Sequence, residues 1–406
     1  MFRSKKRLLA VAAAAATLAI GLAGCSSGDG GGGSPSGGSP DHIKIGFIGS
    51  LTGPLASSGI NSLVGLKAGA EYLEDANKGL TVEVVERDTA GEATAAVAQT
   101  RELAQAGVTA IYYTTEAFPA VQEVLNQVKI PGGTAGGIGP ILDKTGDSKE
   151  YKYAFSTGAG TSGPTSIVPT FDYLKQFGDK IGMLDDSSAY NKSQVELAEK
   201  IAKSDYPDLQ LVSKSFPTNA SDASAQLAEI RDAKVDSMVL WSYGAPAVTA
   251  MSSLAKLGWN PEMGAELGLG APATVELIPS GMKAKIAAGP IAKTFVDASA
   301  QNDITKEFVK RYLAATKKTD FTALDTVGAI SFDWAVIVAQ AVKESGSTNG
   351  DEIKNYLTAG NELKGANGTY KFGPDERIGI GADQLTLFNP AEPCTTEGLC
   401  VEMKPE

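Results

Sequence analysis

From Ile43 onward, short apolar runs alternate with amphipathic stretches, and this alternation restricts the chain more than any other feature. Ile43-Lys-Ile-Gly-Phe-Ile48 has strand character and runs into a turn rich in Gly, Pro and Ser. Leu63, Leu66, Ala70 and Leu73 then recur at helical spacing. Residues 82–86 predict the next strand, 94–106 a helix stopped at Gly107, 108–113 a strand, and 120–127 a helix. After a loop-rich interval around 151–164 the pattern restarts. It predicts helix 166–177, strand 180–184 ending in Asp185-Asp186, helix 192–204, strand 209–215, helix 222–233 and strand 236–241. Two further helices are expected over 305–317 and 324–345. Strands that alternate with helices imply right-handed crossovers and a parallel sheet. Two such units make an α/β protein of two doubly wound, Rossmann-like lobes. The cleft then lies between the carboxyl ends of two sets of strands, where ligands bind in sheets of this kind.

The N-terminus directs the chain out of the cytosol. Arg3, Lys5, Lys6 and Arg7 form a charged region ahead of an apolar stretch, 8–22, that is short for a membrane span and reads as a signal-peptide core. It ends in Leu22-Ala23-Gly24-Cys25, which resembles the lipobox of bacterial lipoproteins. That resemblance implies cleavage after residue 24, lipid on Cys25, and a protein held at the outer face of the cytoplasmic membrane. A plain secretory signal with an incidental cysteine is the alternative. Losing residues 1–24 removes those four positive charges and takes the net charge from −11 to −15. Residues 25–42 are mostly Gly, Ser and Pro, a flexible tether whose Ser26–Pro40 portion spans roughly 20 Å. With Cys25 lipidated, Cys394 and Cys400 are the thiols left outside the cytosol and are expected to pair.

Composition removes several function classes. A strongly acidic chain is a poor partner for nucleic acid, which requires a basic face. The only histidine, His42, removes mechanisms that use two, and three cysteines are too few for a zinc ribbon. Gly132–Gly139 is glycine-rich but lacks the Lys-Ser/Thr ending that grips phosphate. Asp185 and Asp186 could suggest a glycoside hydrolase, yet neighbours on a strand point to opposite faces and make a poor acid/base couple. No catalytic residue, metal or cofactor is expected.

Several segments, in order, resemble the leucine/isoleucine/valine-binding protein family, the solute receptors of ATP-driven importers. They are Ile45-Gly-Phe-Ile-Gly-Ser-Leu-Thr-Gly-Pro54 with Ser58-Gly59, Gly65-Leu-Lys-Ala-Gly69, Val85-Glu-Arg-Asp88, Asp185-Asp-Ser-Ser-Ala-Tyr190, Val239-Leu-Trp-Ser-Tyr-Gly244 and Gly365-Ala-Asn-Gly-Thr-Tyr-Lys-Phe372. The resemblance implies the type I periplasmic binding fold with three crossovers, near 155, 289 and 366. Lobe 1 would comprise 43–155 and 290–366, lobe 2 would comprise 156–289 and 367–390, and 391–406 would be a disulfide-bonded tail.

The same resemblance assigns ligand-binding residues. Ser58 belongs to the opening motif. Thr114 and Thr115 fall where the family grips a ligand carboxylate with a hydroxyl and backbone N–H groups, a charge-assisted arrangement. Gly136 and Gly137 fall at the family's pair of small residues, but Ile138 replaces the hydroxyl that follows, with Thr134 as a substitute. Tyr190 and Tyr243 would cover an apolar ligand face, and Glu266 would receive a ligand ammonium. The function so implied is a monomeric, lipid-anchored receptor that closes on a small carboxylate-bearing solute and delivers it to the permease subunits of an ABC importer. A branched-chain or other apolar amino acid is favoured. An aromatic or aliphatic carboxylic acid, or a sensor of the same fold, stands as the alternative.

Overall fold

The structure, a computed structural model, describes residues 39–53, 56–136, 151–161, 163–276 and 278–404. Strands β1 (His42–Gly49), β2 (Thr81–Asp88), β3 (Ala110–Tyr113), β4 (Gly132–Thr134) and β5 (Ala154–Ser156) form one sheet in the order β2-β1-β3-β4-β5. Every pairing in it is parallel, with Ile45 opposite Val84 on one side and Ala110 on the other. The interior strand β1 reads apolar because helices cover both of its faces. These helices are α1 (Ala56–Ala76), α2 (Ala93–Gln105) and α3 (Gln122–Val128).

A second sheet contains β6 (Lys180–Asp185), β7 (Gln210–Ser215), β8 (Ser237–Trp241), β9 (Met263–Ala265) and β10 (Ile286–Ala292). Helices α4 (Pro164–Leu174), α5 (Ala189–Asp205), α6 (Ser224–Asp232) and α7 (Ala245–Leu257) alternate with its strands. The chain then forms α8 (Asp303–Thr316), α9 (Thr326–Ser345) and α10 (Gly350–Leu357), followed by a hairpin of β11 (Glu362–Gly365) and β12 (Gly368–Lys371). Finally β13 (Leu385–Phe388) joins the second sheet antiparallel to β10, giving the order β13-β10-β9-β8-β6-β7. Two α/β layers built on parallel sheets are the expected architecture.

The expected elements are present, with shifted ends. β3 starts at Ala110 because Gly107, at φ 72°, closes α2 with Val108 N–H bonded to the Leu103 carbonyl. α3 starts at Gln122 because Pro119 sits in a 3₁₀ turn over Phe118–Ala120. α9 is long and apolar enough to cross a membrane, but it is a core helix, buried on nearly all sides. It lies against α1 at close range: a Cβ on Gly65 would meet the Gly328 carbonyl oxygen at 2.0 Å.

Asp333 of α9 anchors the segment that leads back to the second sheet. It accepts from Ala366 N at 2.5 Å, Asn367 N at 2.9 Å, Asn367 Nδ2 at 2.8 Å and Tyr370 Oη at 2.8 Å. Cys394 and Cys400 form the expected disulfide. The tail runs along β13, with Cys400 N bonded to Phe295 O and Met403 N to Leu387 O.

Candidate functional site

Ser50 follows β1, Thr89 follows β2 and Thr114 follows β3, so three buried hydroxyl residues stand at the carboxyl edge of the first sheet. Ser50 Oγ lies 3.3 Å from Thr89 Oγ1 and donates to Glu116 Oε1 at 2.7 Å. Thr114 Oγ1 donates to the same oxygen at 2.8 Å. One carboxylate oxygen therefore takes both hydroxyl protons. Gly49 permits this packing, since a Cβ there would lie 2.4 Å from Thr114 Cγ2. Thr115 is half-buried, and neither its hydroxyl nor its N–H has a partner among the described residues. It packs on Gly136, where a Cβ would come within 2.3 Å of Thr115 Cγ2. Gly136 N–H donates to the buried Thr134 Oγ1 at 3.2 Å.

The second sheet presents a different edge. Asp185 accepts from Ser187 N at 2.8 Å and from the Ser215 hydroxyl, while Asp186 accepts from Ser188 N, Asn191 Nδ2 and Ser242 Oγ, each at 3.0 Å. Ser188 caps α5 by accepting from Asn191 N at 3.2 Å, which puts Tyr190 on the first helical turn. The Tyr190 hydroxyl donates to Thr161 O at 2.7 Å, and Thr161 Oγ1 donates to Ala135 O at 2.5 Å beside Gly136. This two-bond chain ties the two edges together and leaves the Tyr190 ring, rather than its hydroxyl, for other contacts. Tyr243, following β8, meets that ring edge-on with centroids 6.3 Å apart and is 49% exposed.

Glu266 follows β9 and opens a 3₁₀ turn over Leu267–Gly270. It is half-buried, and its carboxyl group has no hydrogen bond or ion pair among the described residues. Burial, and then the negative charge of Asp186, push its pKa up to about 8. The same burial raises the Tyr190 and Tyr243 hydroxyls, with Glu266 as the next cause in each. With no positive charge beside it among the described residues, Glu266 favours its neutral form.

Residues 42–383 match the periplasmic binding protein family, which is most of the chain. This chain belongs to that family. The type I periplasmic binding protein from Bordetella pertussis Tohama I superposes with a TM-score of 0.70 at 19% identity, covering 86% of this chain and 96% of that one. The branched-chain amino acid transporter substrate-binding protein LivJ from Streptococcus pneumoniae, solved with isoleucine, gives 0.64 at 20% identity over 90% and 100% of the two chains. A leucine-binding protein, LivK, from Thermotoga maritima gives 0.65 at 18% identity over 85% and 97%. Identities this low carry the fold alone. Among curated proteins no sequence matches this chain. As a periplasmic binding protein it is an extracytoplasmic solute receptor and not an enzyme.

Within this periplasmic binding protein, the residues singled out in the sequence fall at the edges of the two sheets. Thr114, Thr115, Thr134 and Gly136 lie at the first, and Tyr190, Tyr243 and Glu266 at the second. Ser58 is exposed on the first turn of α1, next to Gly59, whose Cβ position lies 1.8 Å from the Ser50 carbonyl oxygen. Gly137, Ile138 and Cys25 lie outside the described residues. Sequence reasoning missed Glu116, Ser50 and Thr161. The dipeptide Thr115-Glu116, directly after a buried strand, was the available signal for the first of these. The other two are visible only through contacts between distant segments. Among the described residues no group of three or more His, Cys, Asp or Glu side chains could hold a metal.

Proposed function

We propose that this protein is the lipid-anchored receptor of an ABC importer and captures a small solute through a protonated amine, by closure of its two lobes. The observation that carries this reading is Glu266, a half-buried carboxyl with no described partner and a pKa pushed up to about 8. A ligand ammonium would supply the missing charge, and the rings of Tyr190 and Tyr243 would flank it. Thr115, whose hydroxyl and N–H have no partner among the described residues, suits a carboxylate at the other end. An α-amino acid brings both groups. The fold likeness to proteins solved as isoleucine- and leucine-binding agrees with such a frame. Solute bound to one lobe and then bridged by the other would shift an open–closed equilibrium toward the form that docks on the permease.

The test is a thermal-shift screen of α-amino acids, the matching amines and the matching deaminated acids. Ligand at a hundred times its dissociation constant stabilises by about 2.7 kcal/mol, an easily read shift. Amine-bearing compounds are expected to shift the transition, and Glu266→Gln to abolish most of that shift. Binding confined to acids without an amine, unaffected by Glu266→Gln, would overturn the ammonium reading. For the anchor, Cys25→Ser should move the protein from the detergent phase to the aqueous phase; unchanged membrane retention would refute lipidation.

A further inference from the structure

Glu116 alters what the first-lobe edge can recognise. Ser50 and Thr114 are hydroxyl residues at strand ends, placed to donate toward an anion, but both protons already go to Glu116 Oε1, at 2.7 and 2.8 Å. Oε2 has no described hydrogen-bond partner, the side chain is half-buried, and no lysine or arginine among the described residues pairs with it. The edge that would otherwise collect donors therefore presents a carboxyl group whose second oxygen has no partner among the described residues. Across the cleft, Glu266 and Asp186 are likewise without a described cationic partner. Closing two such edges over a neutral zwitterion would satisfy Glu266 alone. Glu116 would lose water with no counter-charge.

We propose that Glu116 is a specificity residue of this cleft, selecting a solute with two separated positive centres: one amine at Glu266 and a second cationic group at the free oxygen of Glu116. This rests on the ammonium reading of Glu266 and refines its solute class to basic amino acids and diamines. A carboxylate at each sheet edge and a pair of tyrosine rings would satisfy such a solute at both ends, because a desolvated cation is stabilised by an aromatic face as well as by opposite charge. A simple carboxylic acid brings no positive charge to either edge. This proposal departs from the apolar side chain that the sequence favoured, since nothing apolar neutralises Glu116.

Lysine and norleucine share one skeleton and differ by the terminal ammonium, as do cadaverine and pentylamine, so their affinity ratios isolate the second charge. Calorimetric titration of the full mature protein should show lysine at least tenfold tighter than norleucine, and cadaverine similarly ahead of pentylamine. In Glu116→Gln, with folding checked by its melting transition, both ratios should fall to within about threefold. Glu116→Asp, which keeps the charge, should retain an intermediate preference. If norleucine binds as well as lysine or better, the inference is overturned while the ammonium reading stands. Ratios that survive in Glu116→Gln also overturn it. If no amine of either pair binds, both readings fall together.

Discussion

If Glu266 receives a ligand ammonium as proposed, affinity for an amine should depend on pH. Burial, and then Asp186, push the Glu266 carboxyl up to about 8, against an ordinary value of 4.5. If only the ionised form accepts an ammonium, the apparent dissociation constant is the intrinsic one divided by the ionised fraction. That fraction is about 0.09 at pH 7 and about 0.01 at pH 6 for a pKa near 8. Binding of lysine, whose α-ammonium is the charge expected at Glu266, should thus weaken about tenfold between pH 8.5 and pH 7 and about a further tenfold by pH 6. Each binding event at pH 7 should release about 0.9 proton, because the ligand fixes the carboxylate. Calorimetry in two buffers of different ionisation enthalpy reads both quantities. Glu266→Gln should bind weakly with a flat profile. The empty protein carries the opposite signature: a folded pKa above the unfolded one adds stability that is present below about pH 4.5 and is lost as pH rises through about 8. Flat wild-type affinity from pH 6 to 8.5, with no buffer-dependent enthalpy, would refute the assignment of Glu266 as the ammonium's partner.

Two further predictions concern the scaffold. Gly65→Ala should destabilise by roughly 1–3 kcal/mol through forced separation of α1 and α9, although alanine is the better helix former at an open site; a denaturation midpoint equal to or above wild type would show that the helices part freely. The double variant Cys394→Ser/Cys400→Ser should lose about 2 kcal/mol, the chain-entropy value for a ring closed across six residues. Its solute affinity should not change, because the tail docks on β13 rather than at the cleft; a change in affinity would mean that the tail reaches the site.

The architecture was legible from local pattern. The alternation of apolar runs and amphipathic stretches that begins at Ile45 and Leu63 specifies strand and helix, and two runs of it specify two sheets, because a parallel pair needs a helical crossover. The strand-end residues Thr114, Asp186 and Tyr243 were legible for the same reason: once the strands are read, their carboxyl ends are known. The short strands β4 and β9 were not, since Gly132-Gly133-Thr134 and Met263-Gly264-Ala265 carry little strand propensity and are held by neighbours on both sides. α1 could be placed as a helix but not as a partner of α9, which is a matter of where Gly65 and Gly328 meet some 260 residues apart.

The sequence by itself determined the α/β class of the molecule, with hydroxyls and acids at the ends of its strands, and the receptor reading came from its ordered resemblance to a known family. Residue type and local period suffice for the class, because they act within a few positions of one another. Tertiary structure alone decided which of those polar groups remain available. Thr114 and Thr115 are adjacent and chemically alike, yet the first gives its proton to Glu116 while the second has no partner among the described residues. Tyr190 spends its hydroxyl on Thr161, and Glu266 has no described partner at all. Whether a donor is free depends on every acceptor that the fold brings within about 3 Å of it. Those acceptors come from loops that the sequence separates widely.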